Sequence, residues 1–168
     1  RLARTVVLYA IGDVHGCVRT LDVLLQHLAA DAGGALQPSD TLIFVGDYID
    51  RGPDSAGVID RALDLEAAST AGTGPECVFL RGNHDQMMID YVDGGGDPEL
   101  WWANGGRTTL QSYENRREWN IPAAHVDFLR RTELVVERDG FVFVHAGLDP
   151  KRTVAENLAD PDPDVFLW

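Results

Sequence analysis

The 168-residue chain carries 14 Lys and Arg against 27 Asp and Glu, a formal net charge of −13, with 45% hydrophobic residues. The apolar and charged fractions are those of a globular fold. The acidic balance argues against partnership with nucleic acid, which needs a basic surface, and no apolar run approaches the ~20 residues required to span a membrane. An anionic substrate stays open, because bound divalent cations reverse the local sign of a site. The length suits one domain over residues 1–168, able to bury ~68–70% of its unfolded surface.

Arg1-Leu2-Ala3-Arg4 followed by strand-like residues is not a secretory signal peptide, and is not taken as the native start. Cys17 and Cys77 form no disulfide framework or zinc spacing and read as reduced thiols of a cytoplasmic protein.

Val6 to Ile11 is a continuous apolar run, expected to be a buried strand. The polar turn Gly12-Asp13-Val14-His15-Gly16 follows, then a helix from about Cys17 to Ala30 with Val18, Leu21, Leu24, Leu25 and Leu28 on one face. Thr41 to Val45 is a second strand, ending in Gly46-Asp47-Tyr48-Ile49-Asp50-Arg51-Gly52. Ser55 is the expected N-cap of a helix carrying Val58, Ile59, Ala62 and Leu63. Cys77 to Leu80 is a third strand, and Arg81-Gly82-Asn83-His84-Asp85 opens a third helix running to about Val92. This β-α-β-α-β-α order predicts an α/β fold with a parallel sheet. Three of its strands end in a cluster of Gly with Asp or Asn, where open α/β sheets place their chemistry.

The pattern then changes. A glycine-rich link leads into a helical, cap-like insert at about 93–131, containing Trp101 and Trp102, which are expected to anchor it, and Arg107, expected to be solvated. Leu134 to Glu137 and Phe141 to Val144 form a hairpin about Asp139-Gly140. It delivers a fourth cluster, His145-Ala146-Gly147. A proline- and aspartate-rich tail follows and ends in Val165-Phe166-Leu167-Trp168.

The four clusters combine into one chemistry. Asp13 and His15 are expected to share an ion, with Asp47 bridging to a second ion held by Asn83 and His145. The mixed oxygen and nitrogen set suits two divalent ions, Mn²⁺ first, with Fe or Zn²⁺ as alternatives. Such a pair converts a bridging water to hydroxide for in-line attack on phosphorus. His84 is the candidate general acid, Asp50 its orienting carboxylate, and Arg51 and Arg81 the forked donors for phosphate. His27 and His125 are read as helix-face residues without a site role.

These ordered motifs, spanning residues 12 to 147, resemble those of the PPP-type calcineurin-like metallophosphoesterases. Residues 81–90 are especially similar to the bacterial and phage, lambda-type, serine/threonine protein phosphatases. The resemblance implies the same residue roles and a two-sheet β-sandwich flanked by helices, lacking its C-terminal strands in this chain. It implies a phosphorylated protein or small phosphoester as substrate. The family often has Glu where this chain has Asp85, and Asp occurs in the similar symmetrical diadenosine tetraphosphate hydrolases. Those enzymes tend to have Ala in place of Asp50, which favours the phosphomonoesterase. The family's later metal-binding histidine and phosphate-binding arginine would fall beyond Trp168. Their absence leaves a third reading, a phosphoprotein-binding module with an incomplete second metal site.

Overall fold

A computed structural model describes residues 6–118 and 120–168; the reading of Arg1 to Arg4 lies outside the described residues. Strands β1 (Leu8–Ile11), β2 (Thr41–Phe44) and β3 (Glu76–Phe79) form a parallel sheet in that order. Helices α1 (Val18–Asp31), α2 (Ser55–Thr70) and α3 (Asn83–Val92) follow each strand in turn. The strand ends are in register, Ile11 beside Phe44 and Phe44 beside Phe79. The three polar turns therefore leave the sheet at one level and meet.

Alternation along the strands decides what each face meets. Ile11, Leu42, Phe44 and Phe79 point into the main core with Ile59, Met88 and Phe128. Ile43, Val78 and Leu80 point the other way, where Val136 and Phe143 cover them. Those two residues belong to the antiparallel hairpin of β4 (Val135–Arg138) and β5 (Phe141–Val144). The Asp139-Gly140 turn has both φ angles positive, 53° and 78°, as a two-residue hairpin of this hand requires. The fold is thus an α/β arrangement of two sheets, with the hairpin as the second sheet on the face away from the helices.

Three expectations change in detail. The first strand begins at Leu8, not Val6. Leu24 is exposed on α1, whereas Leu21 carries the burial. The N-cap of α2 is Asp54, whose carboxylate accepts from Gly57 N at 2.8 Å, so Ser55 becomes the first helical residue and its hydroxyl is free for another task.

Beyond α3, the chain forms α4 (Pro98–Trp101), a π-helical turn over Trp102–Gly106, α5 (Arg107–Asn115) and α6 (Ala123–Arg130). Trp101 is fully buried and its ring lies 4.7 Å from that of Tyr91 on α3. Arg107 is exposed, over the face of Trp102 at 5.2 Å. The tail contains two short helices that its composition conceals, α7 (Val154–Ala159) and α8 (Pro163–Leu167). Phe166 O accepts from Ala146 N, which ties the last helix to the His145 turn. Among the described residues no helix is long and apolar enough to cross a membrane.

Candidate metal centre

The turns after β1 and β2 are stitched through the backbone. Val14 N and His15 N both donate to Asp47 O, at 3.0 and 2.9 Å, and Gly16 N donates to Tyr48 O. Holding this geometry puts four non-glycine residues in the left-handed region: His15 (φ 43°), Asp47 (55°), Asp50 (70°) and Arg51 (63°). Such strain persists only where surroundings over-determine it, and it collects at functional sites. Asp47 sits so close to Gly82 that a Cβ there would lie 2.0 Å from Asp47 Oδ1. Glycine is required at that position by contact.

The side chains of Asp13, His15, Asp47, Asn83 and His145 converge. His15 Nδ1 lies 2.8 Å from Ile49 O, and His145 Nδ1 lies 2.8 Å from Val45 O. A carbonyl only accepts, so both Nδ1 atoms carry hydrogen, and in that tautomer each Nε2 turns its lone pair inward. These lone pairs face Asp47 Oδ2 at 3.5 and 3.6 Å. Asp13 Oδ2 is 3.7 Å from His15 Nε2, and Asn83 Oδ1 is 3.2 Å from His145 Nε2. Two carboxylates, an amide oxygen and two imidazole nitrogens gathered in this way make a donor set that fits cations at its centre. The outer Nδ1 bonds are the kind that orient imidazole ligands. Asp47 Oδ1 is held by His84 N at 3.0 Å, so one atom, Oδ2, belongs to both groups. The two clusters with ligand atoms within 4.8 Å of one another are His15, Asp47 and His84, and Asp13, Asp47 and His145.

His84 and Asp50 form a buried pair, Nδ1 to Oδ2, at 2.7 Å. Every other partner of that carboxylate is also a donor. Trp101 Nε1 donates to both oxygens, at 2.9 and 3.2 Å, and Thr109 Oγ1 donates to Oδ1 at 2.6 Å. Arg51 reaches across the site, Nη1 to His15 Nε2 and Nη2 to His84 Nε2, each at 2.8 Å.

Two other arrangements differ from the sequence reading. Arg81 is not brought to this cluster. Its guanidinium donates to Thr132 Oγ1, Gln86 Oε1 and the carbonyls of Arg130 and Thr132, pinning the start of α3 to the end of α6. Asp85 receives Gly82 N and Asp47 N on Oδ2 and Tyr48 N on Oδ1, at 2.8 to 3.0 Å. Burial first, and the Asp47 charge second, push its carboxyl well up, against the pull of those three amides.

Sequence reasoning missed Trp101, Thr109 and Ser55 as neighbours of the site. Their only signal is spatial, since they lie about 50 to 60 positions from their partner or on the wrong side of a cap. Cys77 behaves as a packing thiol, its pKa pushed up to about 12 by burial and then by Glu76 and Glu66.

The calcineurin-like phosphoesterase family matches the chain over residues 6–168. A symmetrical bis(5'-nucleosyl)-tetraphosphatase of Janthinobacterium sp. (strain Marseille) is 32% identical over 151 residues, 90% of this chain and 47% of that protein. Serine/threonine-protein phosphatase 1 of Salmonella typhimurium is 39% identical over 98 residues, 58% of this chain and 38% of that protein. A crystal structure provisionally named a diadenosine tetraphosphatase covers 98% of this chain and 62% of its own, with a TM-score of 0.60 and 24% identity. The chain spans about half the length of the curated relatives it matches.

Proposed function

We propose, from the premise that this chain belongs to the calcineurin-like phosphoesterase family, that it carries out metal-dependent hydrolysis of a phosphate ester or anhydride. Asp13, His15, Asp47, Asn83 and His145 would hold two divalent ions, with Mn²⁺ favoured and Fe or Zn²⁺ as alternatives. When bound, the ions supply Lewis-acid polarisation and a hydroxide near neutral pH. The convergence of the His15 and His145 Nε2 atoms on Asp47 Oδ2 is the observation that carries this reading.

The chain's own groups divide the remaining work. Arg51 offers two parallel donors, the geometry that phosphate oxygens accept. His15 Nε2 has a single lone pair, so Arg51 is released towards substrate whenever that nitrogen ligates an ion. His84 keeps Nδ1–H on Asp50, which leaves Nε2 as the atom that holds and delivers the leaving group's proton. Its neighbour Asn83 is the ligand; His84 is the acid. Arg81 is engaged with Thr132, Gln86 and the Arg130 carbonyl, so the phosphate falls first to Arg51.

The favoured substrate is a dinucleoside polyphosphate. The support is the run of relatives named as tetraphosphatases, matched over about nine-tenths of this chain. A second reading is a phosphoserine or phosphothreonine protein. It is favoured by the intact Asp50–His84 pair, because an alkoxide needs a proton to leave and a nucleotide phosphate does not. The 39% identity with the Salmonella phosphatase points the same way. The unpaired Cys17 and Cys77 are the ground for placing the protein in the cytoplasm.

One preparation with Mn²⁺ decides between the substrates, measuring kcat/KM for diadenosine tetraphosphate and for a phosphoserine peptide. We expect the dinucleotide to be cleaved at least about tenfold better. Turnover of the peptide alone would transfer the assignment to the phosphatase reading. Turnover of neither would overturn the proposal.

A further inference from the structure

The helical segment from Pro98 to Asn115 reaches Asp50, the partner of the candidate acid, at two points, and the neighbouring Arg51 at a third. Trp101 Nε1 donates to both oxygens of Asp50. Thr109 Oγ1 donates to Asp50 Oδ1 at 2.6 Å and accepts from Asp50 N at 2.9 Å. Gly105, at φ +116°, turns its carbonyl to Arg51 N. Asp50, His84, Trp101, Thr109 and Ser55 are each no more than 1% exposed, so no solvent competes for these bonds.

The hydrogen assignments close without a choice. The Thr109 hydroxyl proton goes to Asp50 Oδ1, so Thr109 accepts from its other two neighbours. One is Asp50 N, and the other is Ser55 Oγ at 2.9 Å, whose own proton is therefore directed at Thr109. Asp50 N is shared with Ser55 Oγ at 3.1 Å. Ser55 is free for this network because Asp54 caps α2. Two further contacts fix Trp101. Its ring lies tilted against that of Tyr91, and a Cβ on Gly106 would stand 2.5 Å from the indole.

We propose that Trp101 and Thr109 are positioning residues for proton delivery by His84. They clamp the Asp50 carboxylate in the one orientation that receives His84 Nδ1–H, so that Nε2 stays aimed at the leaving oxygen. The inference rests on the reading of His84 as the acid. In the step it serves, a water-derived hydroxide would form the new bond to phosphorus as the bond to the leaving oxygen breaks, and the proton on His84 Nε2 moves to that oxygen. The imidazole is left neutral, with its remaining proton on Nδ1 and donated to Asp50 Oδ2. The segment is then part of the catalytic apparatus and more than a lid over it.

The variants Trp101→Phe and Thr109→Val remove one donor each with little change of shape, and Thr109→Ser restores the hydroxyl. Trp102→Phe serves as the control. Phenyl phosphate and 4-nitrophenyl phosphate share a ring, but only the nitrophenolate leaves readily without a proton. We expect kcat on phenyl phosphate to fall about tenfold or more in the first two variants, within the range that acid catalysis supplies. On 4-nitrophenyl phosphate the fall should be under about threefold, with KM unchanged on both substrates. Thr109→Ser and Trp102→Phe should behave as wild type. In parallel, the His84 Nδ1–H resonance, read by ¹H–¹⁵N NMR, should be sharp in wild type and exchange-broadened in Trp101→Phe. Equal loss on both substrates, or an unmoved resonance, would overturn the inference. If wild type turned over neither aryl phosphate, the reading of His84 as an acid for monoester leaving groups would fail, and the resonance would still decide whether Trp101 positions the pair.

Discussion

At the scale of single residues, Asp85 carries more than its place in the sequence suggests. It could be read as a helix cap, or as a sign of nucleotide specificity. Its two oxygens accept from three backbone amides, and two of those belong to Asp47 and Tyr48 on another loop. It therefore holds the left-handed backbone on which Asp47, the candidate shared ligand, stands. Asp85→Asn leaves one acceptor oxygen for three donors and places an amide NH₂ against a backbone N–H. The expected cost is about 1–3 kcal/mol of stability. Metal affinity should drop by about 10–100-fold, as when other supports of ligands are lost. Thermal unfolding and calorimetric Mn²⁺ titration measure the two effects. Reduced stability with unchanged affinity would show that Asp85 supports the fold alone.

At the scale of elements, α6 is fastened to its neighbours by a residue that looked incidental. His125 is buried, with Nδ1 at 3.0 Å from Tyr113 on α5 and Nε2 at 3.1 Å from Asp60 on α2. Burial lowers its pKa, and the pull of Asp60 only partly opposes this. The unfolded chain then binds this proton more readily than the folded one. Stability from this group is complete above about pH 6.5, the ordinary value for histidine, and is lost as pH falls below it towards the lowered folded value. The thermal midpoint of wild type should decline over that range more steeply than that of His125→Gln. Parallel profiles would remove His125 from the account.

The elements that sequence predicted well were those whose signals are local. Apolar runs marked the three parallel strands to within two residues. Asp139-Gly140 marked the hairpin, and helical periodicity marked α1 to α3. The five candidate ligands were legible because each strand delivers its own cluster. What escaped notice depended on contacts between distant elements. Arg81 looks like a phosphate ligand from its neighbours in sequence, yet Thr132 and Arg130 claim it from α6. Trp101 reads as an anchor in the sequence, and only its distance to Asp50 shows that it also touches the partner of the candidate acid.

At the scale of the whole molecule, three turns of the parallel sheet and the end of the hairpin converge on one carboxylate oxygen. The chain's net charge is −13, and Asp13, Asp47 and Asp85 lie within or against this cluster. Divalent ions should therefore act as structural ligands as well as catalytic ones. A site loaded at 100 times its Kd adds about 2.7 kcal/mol to stability, and the thermal midpoint should rise with Mn²⁺ and fall on chelation. Screening of surface charge alone would be matched by a monovalent salt at equal ionic strength, since it depends only on the Debye length. The shared atom sharpens the test. Asp47→Asn weakens both groups and should abolish nearly the whole Mn²⁺ response. Asn83→Ala touches one group and should leave roughly half of it. A full response in Asp47→Asn would mean that the ions bind elsewhere on the acidic surface, and that the convergence on Oδ2 is not a metal centre.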